Sequence, residues 1–173
     1  MTSQPLTHPR HTELGGSSLL SRLIPAWLFT AASDFLFSSV LTVFIYKRTF
    51  ASLWQGVAST LVGPSASQGG VTTTLIGILM HFGVALGWTT VFVLLLGRVK
   101  WLRELVRSRF GVLKAASIYG PFIWLVMSFA VIPLLLHRPP SITVRWWVQF
   151  FGHIPFVALP MIATLARGLP ARN

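Results

Sequence analysis

Four stretches of this chain are almost unbrokenly apolar, and polar residues collect in the gaps between them. The first runs from about Ile24 to Tyr46 and stops at Lys47 and Arg48. The second, from about Leu75 to Leu96, stops at Arg98 and Lys100. The third, from about Val112 to Leu136, stops at His137, Arg138, Pro139 and Pro140. The fourth, from about Trp146 to Ala166, stops at Arg167 and Gly168. A helix rises about 1.5 Å per residue, so about 20 residues cross the roughly 30 Å hydrocarbon layer of a bilayer. Each stretch reaches that length. Lipid offers no partner to a backbone N–H or C=O, and a helix satisfies both internally. A transmembrane barrel would need alternating positions, and these runs do not alternate. The pattern predicts an all-α polytopic membrane protein, four transmembrane helices in a bundle.

The segments between the runs differ in kind. Residues 1–22 are polar, with Pro5, Pro9, Gly15 and Gly16, and read as a surface-lying or disordered tail. The membrane domain then covers 23–167, and 168–173 form a short C-terminal tail. Between the first two runs, Phe50, Leu53, Trp54, Val57 and Leu61 recur at three- and four-residue steps among Ser52, Gln55, Ser59 and Thr60. That spacing predicts a short amphipathic helix. It is too short to span, and Gly63-Pro64 and Gly69-Gly70 follow it, so it is expected to lie at the outer interface, with a re-entrant lid as the functional version. Ala31-Ala32-Ser33 resembles a signal-peptide cleavage site, but the apolar run continues through Phe35 to Tyr46, which favours a retained helix.

Composition strengthens the membrane reading. Hydrophobic residues make up 53% of the 173 and charged residues 10%, against the roughly 25% charged of a soluble protein. Mean hydropathy is +0.70. There are no cysteines, which excludes disulfides, thiolate metal sites and cysteine nucleophiles. The formal charge of +11 comes from 14 bases against Glu13, Asp34 and Glu104. The bases sit between apolar runs, and no basic domain exists to hold a duplex, so nucleic acid is not the expected partner. Topology and anionic lipid headgroups account for them better.

The bases also orient the chain. Arg98, Lys100, Arg103, Arg107, Arg109 and Lys114 lie in the loop between the second and third runs. With that loop and both termini in the cytoplasm, 10 bases face inward and 4 outward. The positive-inside rule therefore predicts both termini inside. Trp27 and Trp101 then fall near the inner interface, and Trp54, Trp146 and Trp147 near the outer one, as an aromatic belt requires.

Several marks recur in an order that resembles a family. They are Asp34; Trp54-Gln55-Gly56-Val57-Ala58-Ser59 with Gly63-Pro64; Gly77 ahead of His81-Phe82; Tyr119-Gly120 leading into Leu125-Val126-Met127-Ser128-Phe129; Val131-Ile132-Pro133-Leu134; and His153 with Phe156 and Leu159-Pro160. Together they resemble a family of small four-helix bacterial membrane proteins, distantly similar to the YagU-like inner-membrane proteins. The resemblance spans about residues 30 to 167. Ser128 stands where an asparagine is expected and Ala158 where a glycine is expected. The resemblance implies a four-helix fold and a bacterial inner-membrane location, and it implies no activity.

Candidate chemistry rests on three residues inside the runs: Asp34, His81 and His153. An ionisable group at a helix centre costs about 2.5–3.5 kcal/mol or more in lipid, which makes each a functional candidate. Asp34 lies near the middle of its run, with Thr30, Ser33, Ser38 and Ser39 around it. It could hold a proton or cation, or stay protonated and donate to a neighbouring helix. His81 and His153 each lie about 10 Å below the outer surface in the predicted topology. At matched depth the two imidazoles could meet across the bundle. They could then ligate a haem iron, contribute to a metal site, or relay protons with Asp34, which sits one to two turns deeper. Alternatively, each makes an interhelical hydrogen bond. No cofactor is otherwise implied, and a protein-only zinc site would want four ligands where the spans offer three.

Other features bear on packing and partners. Gly83 and Gly87 form a GxxxG, a close-packing signal for a neighbouring helix or a second copy, about 200–240° around the helix from His81. Pro121, Pro133, Pro155 and Pro160 interrupt the last two runs and either bend them or free carbonyls for an ion. Arg98, Lys100, Arg103, Arg107 and Arg109 are headgroup candidates for anionic lipid. His8, His11 and His137 lie outside the spans and could bind metal, but read first as solvated residues. No hydrolase elbow, phosphate loop, dinucleotide fingerprint or HExxH occurs, so an enzyme is not expected. Three readings stay open: a non-enzymatic binding or assembly protein of the envelope, with a second copy or another membrane protein as partner; a proton- or cation-linked transporter; and a haem-bearing electron carrier.

Overall fold

The computed structural model describes residues 13–137 and 139–169, with side chains from Leu19 onward. His8, His11, Arg10, Arg138 and Arg172 lie outside the described residues. Eight α-helices occur among the described residues, and no strand. They are α1 (Glu13–Val40), α2 (Phe50–Val62), α3 (Gly70–Arg98), α4 (Lys100–Arg107), α5 (Gly111–Val126), α6 (Ile132–Leu136), α7 (Val144–His153) and α8 (Leu159–Ala166). Wide π-helical turns at Leu41–Ile45, Met127–Val131 and Ile154–Ala158 extend α1 and join α5 to α6 and α7 to α8. The result is four helices long and apolar enough to cross a membrane: Leu19–Ile45, Gly70–Arg98, Gly111–Leu136 and Val144–Ala166.

The prolines act locally. Pro121 lies inside α5 without ending it. Pro133 and Pro160 open α6 and α8, and Pro155 sits within the wide turn between α7 and α8. A proline lacks the N–H for an i→i−4 bond and clashes with that carbonyl, and a wide turn relieves both problems. The helix α1 begins earlier than expected. Glu13 to Arg22 belong to it, although the polar composition reads as a tail, and Leu19 packs in the core.

The turns have identifiable causes. Lys47 takes φ 53°, and Arg48 N–H reaches back to the Thr42 carbonyl at 3.0 Å, a left-handed stop for the first span. Thr49 caps α2, its hydroxyl accepting from Ser52 N–H at 3.1 Å. Gly63 and Gly70 take positive φ on either side of the single 3₁₀ turn Pro64–Gln68, and this reverses the chain into α3.

Packing runs in a definite order. One flank of α1 lies on α3, and the other lies on α8 and the wide turn before it; α5 packs on α7, on that same turn and on α8. Helix α4 crosses α5, and α2 lies along α3 with a further contact to α6. The apolar core gathers at the α4 end, around Phe92, Leu96, Ala116, Met161 and Ile162. Large apolar side chains such as Leu36, Leu79, Leu94 and Leu134 point outward, as lipid-facing positions do. The other half of the bundle holds Asp34, His81 and His153.

Candidate functional site

Asp34 lies eleven residues in from Ile45, and His81 lies eleven residues in from Gly70. At about 1.5 Å per residue, both sit about 16 Å from the α2 end of their helices. They are therefore level, where the apolar runs alone put Asp34 deeper. The reason is that α3 starts at Gly70, earlier than the apolar run, which carries His81 further in. His81 Nδ1 lies 3.8 Å from Asp34 Oδ2, and the side chains are 13% and 17% exposed. That is ion-pair range, beyond hydrogen-bonding reach. Ser38 Oγ donates to the other carboxyl oxygen at 3.4 Å.

The second nitrogen of His81 is fixed. Nε2 lies 3.1 Å from the Ala31 carbonyl. A carbonyl only accepts, so Nε2 carries the proton and Nδ1 faces the carboxyl. Ala31, Asp34, Phe35 and Ser38 share one face of α1 by their three- and four-residue spacing. Thr30 and Phe37 face the other flank. There Thr30 Oγ1 donates to the Val157 carbonyl at 3.4 Å, and Phe37 stacks on Phe156 with centroids 4.2 Å apart.

Helix α2 covers the pair. Trp54 is 1% exposed, stacks on Phe35 at 4.7 Å and meets the His81 ring edgewise at 5.1 Å. Its indole N–H is buried without a hydrogen-bond partner. Gly77 makes this approach possible, because a Cβ there would overlap the Trp54 carbonyl. Gly77 stands one turn before His81, so whatever packs on the glycine reaches the imidazole. This apolar edge of α2 is buried against protein. Its opposite side faces a polar groove of about 300 Å³ lined by Arg48, Ser52, Gln55, Ser59 and Ser67. One helix thus separates the groove from the Asp34–His81 pair.

His153 occupies a different pocket. Its Nδ1 donates to the Gln149 carbonyl at 2.7 Å, and its ring lies 5.0 Å from Trp124. Gly120 of α5 lets the backbone of His153 approach, since a Cβ there would come within 2.6 Å of the His153 carbonyl oxygen. Among the described residues, His81 and His153 share no hydrogen bond or ring contact, yet His153 lies within electrostatic reach of both Asp34 and His81, so the three groups are near one another without direct contact between the imidazoles. The physical reason is that α1 packs between α3 and the α7–α8 segment. No group of three or more His, Cys, Asp or Glu placed to hold a metal occurs among the described residues.

No family model, curated protein or solved structure matches the chain.

The remaining candidates fall into place individually. Gly83 and Gly87 face away from the bundle, and an added Cβ at either would meet nothing within 4 Å. The close approaches to other elements belong instead to Gly77, Gly111, Gly120 and Gly152, Gly111 against the α4 backbone at Leu105 and Gly152 against the Phe37 ring. Arg103 caps α3, donating from one guanidinium nitrogen to the Leu96 and Gly97 carbonyls at 2.7 and 2.9 Å. Lys100 lies 3.9 Å from Glu104, both exposed, and Arg109 lies over the Phe110 ring at 5.1 Å. Arg98 and Arg107 make neither contact, and the Nε of Arg107 is buried without a partner. The sequence pattern did not single out Trp54, Gly77 or Gly120 for these roles. The Gly77–His81 spacing was the one available signal.

Proposed function

We propose that this is a small proton-linked membrane carrier in which Asp34 and His81 exchange a proton and α2 is the gate. One observation carries the reading: a carboxyl and an imidazole, both largely buried, lie 3.8 Å apart within two of the spanning helices. A charged pair there is costly to desolvate, and apolar packing would hold the helices as well or better. The fixed Nε2–H leaves Nδ1 as the atom that gains or loses the proton. His81 Nε2 is taken by the Ala31 carbonyl and Nδ1 faces the Asp34 carboxyl, which favours proton exchange over axial ligation of haem. The excess of bases at the α4 end supports a topology with that end in the cytoplasm, in a bacterial inner membrane as the family resemblance implies.

The test is proton flux into proteoliposomes under an imposed pH gradient, followed by a pH dye in the lumen. Wild type should collapse the gradient faster than empty vesicles do. Asp34→Asn should abolish that flux while helix content is retained. Equal flux in the variant, or none in wild type, refutes the carrier reading.

A second reading, a non-enzymatic binding or assembly role, draws on the open strip at Gly83 and Gly87. On that reading Gly83→Leu with Gly87→Leu reduces the oligomer mass in detergent. An unchanged mass counts against it.

A further inference from the structure

At the α4 end of the bundle, α3 and α5 part. Higher up they are tied by the Tyr119 hydroxyl, which donates to the Trp88 carbonyl at 2.9 Å, and by Phe92 against Tyr119 at 4.7 Å. Below that tie a cleft of about 210 Å³ opens, with Phe92 and Tyr119 at its inner end and Leu102 and Leu105 of α4 closing its far end. Every residue lining it is apolar or aromatic, and the one hydroxyl among them is already spent on Trp88. The cleft opens sideways, not into the core: Ile118 and Trp101 stand at its mouth, 61% and 63% exposed.

The charge around the mouth is predominantly positive, and the carboxylate there, Glu104, is paired with Lys100. Arg98 ends α3 beside the wall residue Val99, and Lys114 stands one turn before Ile118 on the same face of α5. Both are exposed. Neither forms an ion pair among the described residues, whereas Lys100 has Glu104 and Arg103 is committed to carbonyls. The exposed indole of Trp101 suits the headgroup level of a bilayer. An apolar slot running toward the membrane centre, with two bases at its surface end, matches a phospholipid part for part: acyl chain below, phosphate above.

We propose that the α3–α5 cleft holds one acyl chain of an anionic phospholipid whose phosphate pairs with Arg98 and Lys114. This site is separate from the Asp34–His81 pair and stands or falls without it. A zwitterionic lipid has the same chains and phosphate, but its own cation offsets the attraction to the two bases. Each base near an anionic surface contributes roughly a fivefold preference, so the pair gives on the order of tenfold or more.

The test uses purified, delipidated full-length protein in detergent. Phosphatidylglycerol and phosphatidylcholine of matched chains are added at equal concentration and bound lipid is read by native mass spectrometry. Phosphatidylglycerol should be retained roughly tenfold over phosphatidylcholine. Arg98→Gln with Lys114→Gln should erase that preference, and Ile118→Trp, which fills the mouth from an exposed position, should remove the bound lipid. Excess inorganic phosphate should not displace it. Equal retention of the two lipids by wild type overturns the proposal without any variant. Undiminished phosphatidylglycerol in Ile118→Trp, or displacement by phosphate, overturns the acyl-chain site.

Discussion

Replacing Gly77 by alanine should lift α2 off the bundle. A Cβ at Gly77 collides with the Trp54 carbonyl, a backbone atom that no rotamer change can move aside. Helix α2 must shift, and Trp54 then loses its stack on Phe35 at 4.7 Å and its edge contact with His81 at 5.1 Å. Such aromatic pairs are worth about 0.5–1.5 kcal/mol each, so the two together give about 1–3 kcal/mol. That changes the population with α2 displaced by about fivefold to somewhat over a hundredfold. The opposite sign is available as a control, because alanine is favoured over glycine inside a helix by about 1 kcal/mol. The chain has no cysteine, so one placed at Ala58 is the only thiol. Ala58 is fully buried on α2. Maleimide labelling of Ala58→Cys should be slow, and at least several times faster when Gly77→Ala is added. An unchanged or slower rate would show that the α2–α3 contact does not hold Trp54 over the pair.

Further outcomes follow from individual contacts. Gly120→Val should lower the melting temperature in detergent, because its Cβ would meet the His153 carbonyl at 2.6 Å, and overpacking of this kind costs about 1–3 kcal/mol. Gly83→Ala, with nothing within 4 Å, should leave the melting temperature unchanged or slightly raised, and a clear drop would mean that this face is packed. Arg103→Gln removes charge-assisted bonds to the Leu96 and Gly97 carbonyls, each worth about 1.5–3 kcal/mol when buried and less at this partly exposed end. Hydrogen exchange should rise in α4 and the last turn of α3, and no rise there would refute the capping role. Trp27→Phe removes the indole donor to the Phe82 carbonyl at 2.8 Å and should destabilise by about 0.6 kcal/mol, the average for such interhelical bonds in membranes, read by unfolding in mixed micelles.

Much of the architecture was legible in one dimension. The four apolar runs agree closely with the four spanning helices, and the three- and four-residue spacing of Phe50, Trp54, Val57 and Leu61 agrees with α2. Asp34 and His81 were legible as costly residues, but their partnership was not. Depth counted from the apolar edges missed the turn and more by which α3 extends back from Leu75 to Gly70. His153 was expected opposite His81; it packs against Trp124 and stays within electrostatic reach of Asp34 and His81 without touching either ring. Gly83 and Gly87 carried the familiar spacing, yet the contacts belong to Gly77, Gly111, Gly120 and Gly152. Spacing says which residues share a face. It does not say which face finds a neighbour.

The sequence by itself determined how many helices cross, roughly where each begins and ends, and which few side chains are expensive to bury. Those properties depend on the transfer of each segment from water to lipid and on backbone bonds closed within the segment, so they are local. Tertiary structure alone decided that Asp34 faces His81, that Trp54 covers them, and that α3 and α5 part around an apolar cleft. Once all four helices are in lipid, burying apolar surface no longer selects among arrangements. The choice passes to close backbone approach at glycine, to wide turns near proline, and to hydrogen bonds such as Trp27 to Phe82 and Tyr119 to Trp88. These join residues far apart in the chain, and no window of sequence contains both partners.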